Sequence, residues 1–489
     1  MDEKNNRSSM EQRRMAKERK ERIERRRRAK KKAMMRRMAI LIGLIVLVLG
    51  CIVGVTVSIV SKNRARKAEE KAQKEAEIVA EEAEFAKKKD LVAQADAMAA
   101  GYDYDGAIAL LQGVEGYDNE PDMIEAIARY AAAKSTLVEV DPDKVTHVFY
   151  HSLVVDPTKG FVGENANGFN AWMTTLDEFN KITQEMYDNG YVLIRLRDLV
   201  TQTTDADGTV HFTENKLMLP ADKKPYVLSV DDLSYYHSYE GHGVASKLIV
   251  DENGLPKCEY IEDDGSVSVG DYDVVPAMNT FLEAHPDGAY KGARGMIALT
   301  GYNGVFGYRT DVAYRDHTNL TADQQAWLDA NPDFNWDTDV AEATKVAEAI
   351  KATGWEFASH TWGHLRVGST DLATLQTDTD KWFNTVSPIV GPVDTIIFAH
   401  GEDLGSWRDY DSTNEKYNYF KSKGFNLYCN VDSSQYWIQI RDGYVRQGRR
   451  NLDGYLMYKS MTKDDNLEDL FHVEDVFDSV NRPTPVTLE

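Results

Sequence analysis

The sequence predicts an α/β protein whose main body is a (β/α) barrel, and three observations carry that expectation. Short apolar runs recur from residue 145 onward. Amphipathic stretches with helix start and stop signals lie between several of them. Their number favours a closed parallel barrel over an open doubly wound sheet. At 489 residues and 42% apolar content the chain has ample material for a packed core, which excludes wholesale disorder. Three cysteines (Cys51, Cys258, Cys429) exclude a disulfide-dense scaffold, and Cys258 and Cys429 can pair at most once.

The N-terminal region is organised by charge. Residues 1–37 hold 17 Lys/Arg against 6 Asp/Glu, a net of +11 in a chain whose formal charge is −22. Residues 38–60 (MAILIGLIVLVLGCIVGVTVSIV) follow without a single charge. That run is long enough for a transmembrane helix and too long for the apolar region of a cleaved signal peptide. Val48-Leu49-Gly50-Cys51 loosely resembles a lipoprotein processing box, yet the apolar run continues nine residues beyond Cys51. The expectation is one membrane span with a basic cytoplasmic arm and an extracellular bulk. The membrane surface accounts for the arm, so no nucleic-acid partner is expected.

Residues 61–90 are rich in Ala, Glu and Lys with opposite charges three and four apart, which predicts a solvated helical stalk. Only Ile78, Val79 and Phe85 are large and apolar there, too few for coiled-coil heptads. Residues 91–140 predict a small α-helical spacer. LVAQADAMAAG closes at Gly101, YDYDGAIALLQG starts a second helix, and Pro121 opens PDMIEAIARYAAAK. The pattern resembles a tetratricopeptide-like hairpin. A lone hairpin cannot bury its own face, so a spacer packed on the next domain is expected rather than a partner-binding array.

In the main body VTHVFY (145–150) reads as a buried strand, and TTLDEFNKITQEMYDNG (174–190) as a helix with a Thr start and a Gly stop. YVLIRL (191–196), PYVLSV (225–230), GMIALTG (295–301), WEFAS (355–359), DTIIFA (394–399) and FNLYCNV (425–431) are further strands. Residues 339–354 and 371–386 are helices between them. Barrel chemistry sits at strand C-terminal ends. There PYVLSV runs into Asp231-Asp232, WEFAS into His360-Thr361-Trp362-Gly363-His364, and DTIIFA into His400-Gly401-Glu402-Asp403. Two imidazoles four apart can reach one ion, and with a carboxylate they make a catalytic zinc or similar divalent site. A second carboxylate beside it can serve as base for water. From residues alone, a surface carboxylate pair with solvated histidines explains the same letters.

SVDD (229–232) followed by SHTWGH (359–364) resembles the first two motifs of the polysaccharide deacetylase family, the NodB homology domain of carbohydrate esterase family 4. FYHSLVVDP (149–157) is similar to that domain's opening strand, and residues 175–199 to the element preceding its Asp motif. The resemblance covers residues 144–460, leaving 461–489 as a C-terminal tail. It implies a distorted (β/α) barrel and a metal-dependent hydrolase acting on carbon–nitrogen bonds other than peptide bonds. The implied reaction removes acetyl groups from a cell-surface polysaccharide, with N-acetylated peptidoglycan glycan as the expected substrate and attack by water at the metal. By resemblance Asp231 is the general base, and Asp232, His360 and His364 hold a divalent ion such as Zn2+. Ser359 and Thr361 orient the loop.

The sequence also departs from that pattern. The family's third motif carries an Arg and a Pro, whereas residues 396–405 (IIFAHGEDLG) carry neither. His400 or an Arg of RQGRR (446–450) is the candidate substitute. The family's final Leu-x-His is matched only by Leu470-Phe471-His472, in an acidic stretch unlike a strand. His151, at the end of the first strand, is the better-placed catalytic acid. The long gap between Asp232 and His360 implies an insertion with aromatics (Tyr235, Tyr236, Tyr239, Tyr302, Phe306, Tyr308) suited equally to sugar stacking and to loop packing. A catalytically weak, deacetylase-like cell-wall binding module is the alternative reading. A glycoside hydrolase fits poorly, because adjacent aspartates do not flank a cleft.

Overall fold

The computed structural model describes residues 34–35, 37–43, 45, 59–432, 434–463 and 466–485. The chain divides into two units, Met1–Leu91 and Val92–Glu489. In the first, the helix Ile59–Ala100 begins and spans the whole segment expected as a stalk. It runs on through the stretch expected as a separate spacer helix. Pairs such as Lys88–Glu84 (2.7 Å) support it along one face, while Ile78 and Phe85 remain exposed and form no seam. Of the basic arm 1–37 only residues 34, 35 and 37 are described, and of the expected span 38–60 residues 44 and 46–58 lie outside the described residues. Among the described residues no helix is long and apolar enough to cross a membrane.

In the second unit, the helices Tyr104–Gln112 and Pro121–Lys134 pack into a hairpin through buried Ala107, Leu111, Met123, Ala126 and Tyr130. Asp103 caps the first and Pro121 opens the second. Tyr102 joins the hydrophobic cluster of Val145, Val192 and Leu217, and its hydroxyl donates to the Asp287 carbonyl at 2.7 Å. Tyr102, just ahead of the hairpin, thereby ties it to the barrel domain.

Seven parallel strands form the barrel, and they neighbour one another in chain order. These are β1 (Thr146–Tyr150), β2 (Lys224–Asp231), β3 (Met296–Leu299), β4 (Glu356–Ser359), β5 (Thr395–Ile397), β6 (Leu427–Val431) and β7 (Tyr444–Asn451). β7 returns to pair with β1, which closes the ring. Distortion has a visible source. The short strand Tyr191–Leu193 pairs with the first half of β2, leaving only Ser229–Asp231 to pair with β3. YVLIRL is therefore a wedge beside the ring. The helix Leu176–Asp188 begins with a Thr175–Glu178 capping box and buries Phe179, Ile182 and Met186, one stripe of a 3.6 repeat.

Two features differ from expectation, and a third fills in the insertion that the sequence implied. β7 was expected only as a basic run, because Tyr-Val-Arg-Gln-Gly-Arg-Arg-Asn lacks the apolar continuity of a parallel strand. It is buried because each arginine meets a carboxylate: Arg446 with Asp403, Arg449 with Asp231 and Arg450 with Asp469. Of the segment expected as a C-terminal tail, 461–489, the described residues pack instead. Leu467, Leu470, Phe471, Val473 and Val476 are fully buried, and Arg482 pairs with Glu178. Its apolar residues recur at helical spacing between acidic ones, so mean polarity hides them. The insertion after β2 contains a three-stranded antiparallel meander, Lys247–Val250, Pro256–Ile261 and Val267–Gly270. Cys258 and Cys429 are both free and buried.

Candidate active site

The site lies where β2, β4 and β5 end. Asp231 is the last residue of β2, and Asp232, Thr361, His364 and His400 all adopt left-handed backbone with φ between 55° and 61°. Such conformations are uncommon for side chains with a Cβ and cluster where a loop is held against local preference. The holding groups are visible. Asp378 accepts from the Trp362 and Gly363 N–H groups at 2.7 Å each, and the Thr361 hydroxyl accepts from Leu365 N–H at 2.7 Å. The Ser359 hydroxyl accepts from Thr361 N–H at 3.2 Å. Gly301 is required here, since a Cβ on it would lie 2.1 Å from the Trp362 ring.

Asp232, His360 and His364 bring three ligand-capable atoms within 4.8 Å of one another, and His364 Nε2 lies 3.4 Å from Asp232 Oδ2. His360 Nδ1 donates to the Ile397 carbonyl at 2.7 Å, which leaves Nε2 as the ligating atom. Tyr236 donates to Asp232 Oδ1 at 2.8 Å and pairs with the Thr300 hydroxyl at 2.6 Å. A carboxylate only accepts, so this fixes which Asp232 oxygen is committed. The donor set, two imidazoles and one carboxylate already oriented by outer partners, fits a divalent ion with coordination positions left open. Burial raises the pKa of Asp232, but His364 and His360 outweigh it and the carboxyl ends below its ordinary range.

Asp231 is gripped separately. Arg449 donates from Nη1 to Oδ1 at 2.8 Å and from Nη2 to Oδ2 at 2.9 Å, and the Arg449 guanidinium lies 4.1 Å from the Phe149 ring centre. Burial opposes ionisation, yet the Arg449 charge overcomes it and holds the Asp231 pKa down to about 2. Between the two candidates for the missing third-motif Arg, it is Arg449 that contacts Asp231. His400 instead stands with its ring 4.3 Å from that of His364, exposed at the cleft.

A cleft of about 1020 Å³ opens over these groups. His151 lines it, with Nδ1 donating to the Trp172 carbonyl at 2.9 Å. His472 is 75% exposed, pairs with Glu468, and does not line the cleft. Its neighbours Leu470 and Phe471 are the buried part of that motif. The insertion's aromatics separate by role. Tyr235, Phe306 and Tyr308 are core, Tyr239 lines the cleft, and Tyr236 stacks on Tyr302 at 4.9 Å.

Sequence reasoning missed Trp172, Tyr455 and Asp453, which also line the cleft. Asp453 carried a signal, as an Asp opening the helix Gly454–Thr462 directly after β7, where it accepts from Leu456 N–H. Burial raises its pKa. Trp172 and Tyr455 carried none, since only the fold brings their rings 6.1 Å apart.

Fold and site together define a closed parallel (β/α) barrel bearing a His-His-Asp triad and an arginine-clamped carboxylate at its C-terminal rim, an arrangement suited to hydrolysis at a metal ion. No protein family and no curated protein matches the chain. Among solved structures, the Streptococcus pyogenes deacetylase PplD in complex with acetate is similar at a TM-score of 0.34 and 11% identity, over 68% of this chain and 100% of that one. Likeness at that level adds nothing to the geometry.

Proposed function

We propose that the protein is a metal-dependent hydrolase that removes acetyl groups from a cell-surface polysaccharide, with N-acetylated peptidoglycan glycan as the substrate class. The observation that carries this reading is the placement of Asp232, His360 and His364 within reach of one ion beside Asp231 in an open cleft. A divalent ion such as zinc, held by those three side chains, supplies Lewis-acid polarisation of the acetyl carbonyl and acidifies water. Asp231 takes a proton from the attacking water, and Arg449 keeps that carboxylate ionised and oriented for the task. As the water oxygen bonds to the acetyl carbon and the C–N bond breaks, His151 gives a proton to the leaving amine. Its Nδ1–H is committed to the Trp172 carbonyl, so Nε2 is the nitrogen through which the imidazolium form of the ring gives that proton. Acetate and a free amino sugar leave.

Placement outside a membrane, anchored through residues 38–60, is part of the same proposal and rests on the charge pattern of the sequence.

The test is acetate release from N-acetylated glycan oligomers by the full-length protein with zinc. Asp231→Asn should keep the metal and lose about 10²–10⁴-fold in kcat, whereas Asp232→Asn should lose metal and activity together. No release from peptidoglycan-type or chitin-type oligomers would overturn the reading. An Asp231→Asn protein stripped of metal would reverse the two assignments.

A further inference from the structure

Beneath Asp231 a polar layer lies above the apolar filling of the barrel, whose Val145, Val227 and Val445 stand one step lower. Alternate residues on a strand share a face, so Ser229 lies below Asp231 on β2, Gln447 below Arg449 on β7, and His147 below Phe149 on β1. His147, Ser229, Gln447 and Arg449 are all fully buried. We propose that His147 is a positioning residue for Asp231, acting through the Ser229 hydroxyl to hold the Arg449 guanidinium in place. The inference rests on the reading of Asp231 as the base.

The protons can be assigned one by one. Arg449 Nη1 carries two hydrogens, one for Asp231 Oδ1 at 2.8 Å and one for Ser229 Oγ at 3.1 Å. Arginine never accepts, so Ser229 Oγ is the acceptor of that contact and its own hydrogen must go elsewhere. The partner within reach is His147 Nε2 at 3.0 Å. Nε2 is placed to accept it, and in the proposed tautomer the single proton of the imidazole lies on Nδ1. Burial, followed by the positive charge of Arg449, pushes the His147 pKa well below its ordinary value, which keeps the ring neutral and Nε2 available. The assignment places a proton on Nδ1, which is buried without a hydrogen-bond partner, as is Gln447 Oε1 on the residue that favours a proton on this ring.

Each link fixes the next. Without an acceptor at His147 the Ser229 hydroxyl loses its fixed rotamer. Arg449 then loses one of the three hydrogen bonds that set the plane of its fork, and the Asp231 carboxylate plane is free to turn. A base that turns is mispositioned for proton transfer but does not alter how substrate binds.

Two measurements on the full-length protein test this. Nitrogen NMR of the labelled histidines, with His147 assigned by its absence in His147→Gln, should show a neutral ring protonated at Nδ1. An Nε2–H tautomer, or an imidazolium at neutral pH, overturns the proposal. In kinetics, Ser229→Ala and His147→Leu should each lower kcat about 5- to 10-fold, the scale of one lost hydrogen bond, with KM and bound metal unchanged. The double variant should be no worse than the poorer single, because the two act in series. His147→Gln, whose side-chain oxygen can accept from Ser229, should recover most of the loss. Equal losses in the Gln and Leu variants, tracking thermal stability, would mark His147 as merely structural and overturn the proposal. If the wild type releases no acetate from any acetylated glycan, the functional reading fails by itself, and the tautomer result still decides where the protons lie.

Discussion

A carboxylate as enclosed as Asp231, 3% exposed, is driven by burial toward its neutral acid, and Arg449 drives it back past the ordinary value to about 2. Because the folded value lies below the unfolded one, this ion pair stabilises the fold fully above about pH 4. The contribution, about 2 kcal/mol, is lost as pH falls from there toward 2. The same sign governs activity: the acid limb of the wild-type rate cannot come from Asp231 above about pH 3. Arg449→Met removes the opposing charge and leaves burial to act alone, so the acid limb should move upward into the measurable range and kcat should fall most steeply at low pH. Arg449→Lys keeps the charge without the two-pronged geometry and should lie between them. A pH–rate profile of the three proteins decides it, and an acid limb unmoved in Arg449→Met would disconnect the pair from catalysis. In the sequence this arginine was legible only as one of three in RQGRR. Which of them faces Asp231 depends on strand register, and no local pattern encodes that.

Among elements, the helix Leu176–Asp188 shows how far local rules reach. Its Thr start and Gly stop were readable, and the structure has both, adding the Glu178 half of the capping box and the buried apolar stripe. β7 shows where they stop. Periodicity assumes that buried strand residues are apolar, and here burial is made tolerable by carboxylates from other parts of the chain. The packed C-terminal segment follows the same logic. Arg482 donates to both Glu178 oxygens, at 2.7 and 2.6 Å, and also to the Asn170 and Met173 carbonyls. Glu178 is itself the capping residue of Leu176–Asp188, so the segment locks that helix start. Arg482→Ala leaves a fully buried glutamate unpaired and should cost about 3–5 kcal/mol, read from the denaturant midpoint. Arg482→Ala combined with Glu178→Gln should cost less than Arg482→Ala alone. A surface-like loss below about 0.5 kcal/mol would show that the segment is not part of the cooperative fold.

For the whole molecule, composition speaks most plainly at the N-terminus, since charge asymmetry and an uncharged run need no tertiary context to be read. If residues 38–60 span the membrane as proposed, protease added to wall-free cells should remove the mass carrying the barrel and leave the basic arm protected. Protection of the entire chain would overturn that topology. Barrel closure is the opposite case. The Asp231–Arg449 contact spans 218 residues of sequence, and the β1–β7 ladder pairs Val148 with Arg450 and Phe149 with Asn451. Such distant contacts must be brought together against chain entropy, and they form late. A chain that emerges from its N-terminus presents the aspartates of β2 long before the arginine that neutralises them. The ring therefore stays open until β7 has been delivered. A copy interrupted before β7 exposes an unsealed ring to proteolysis and lacks the arginine that the site uses.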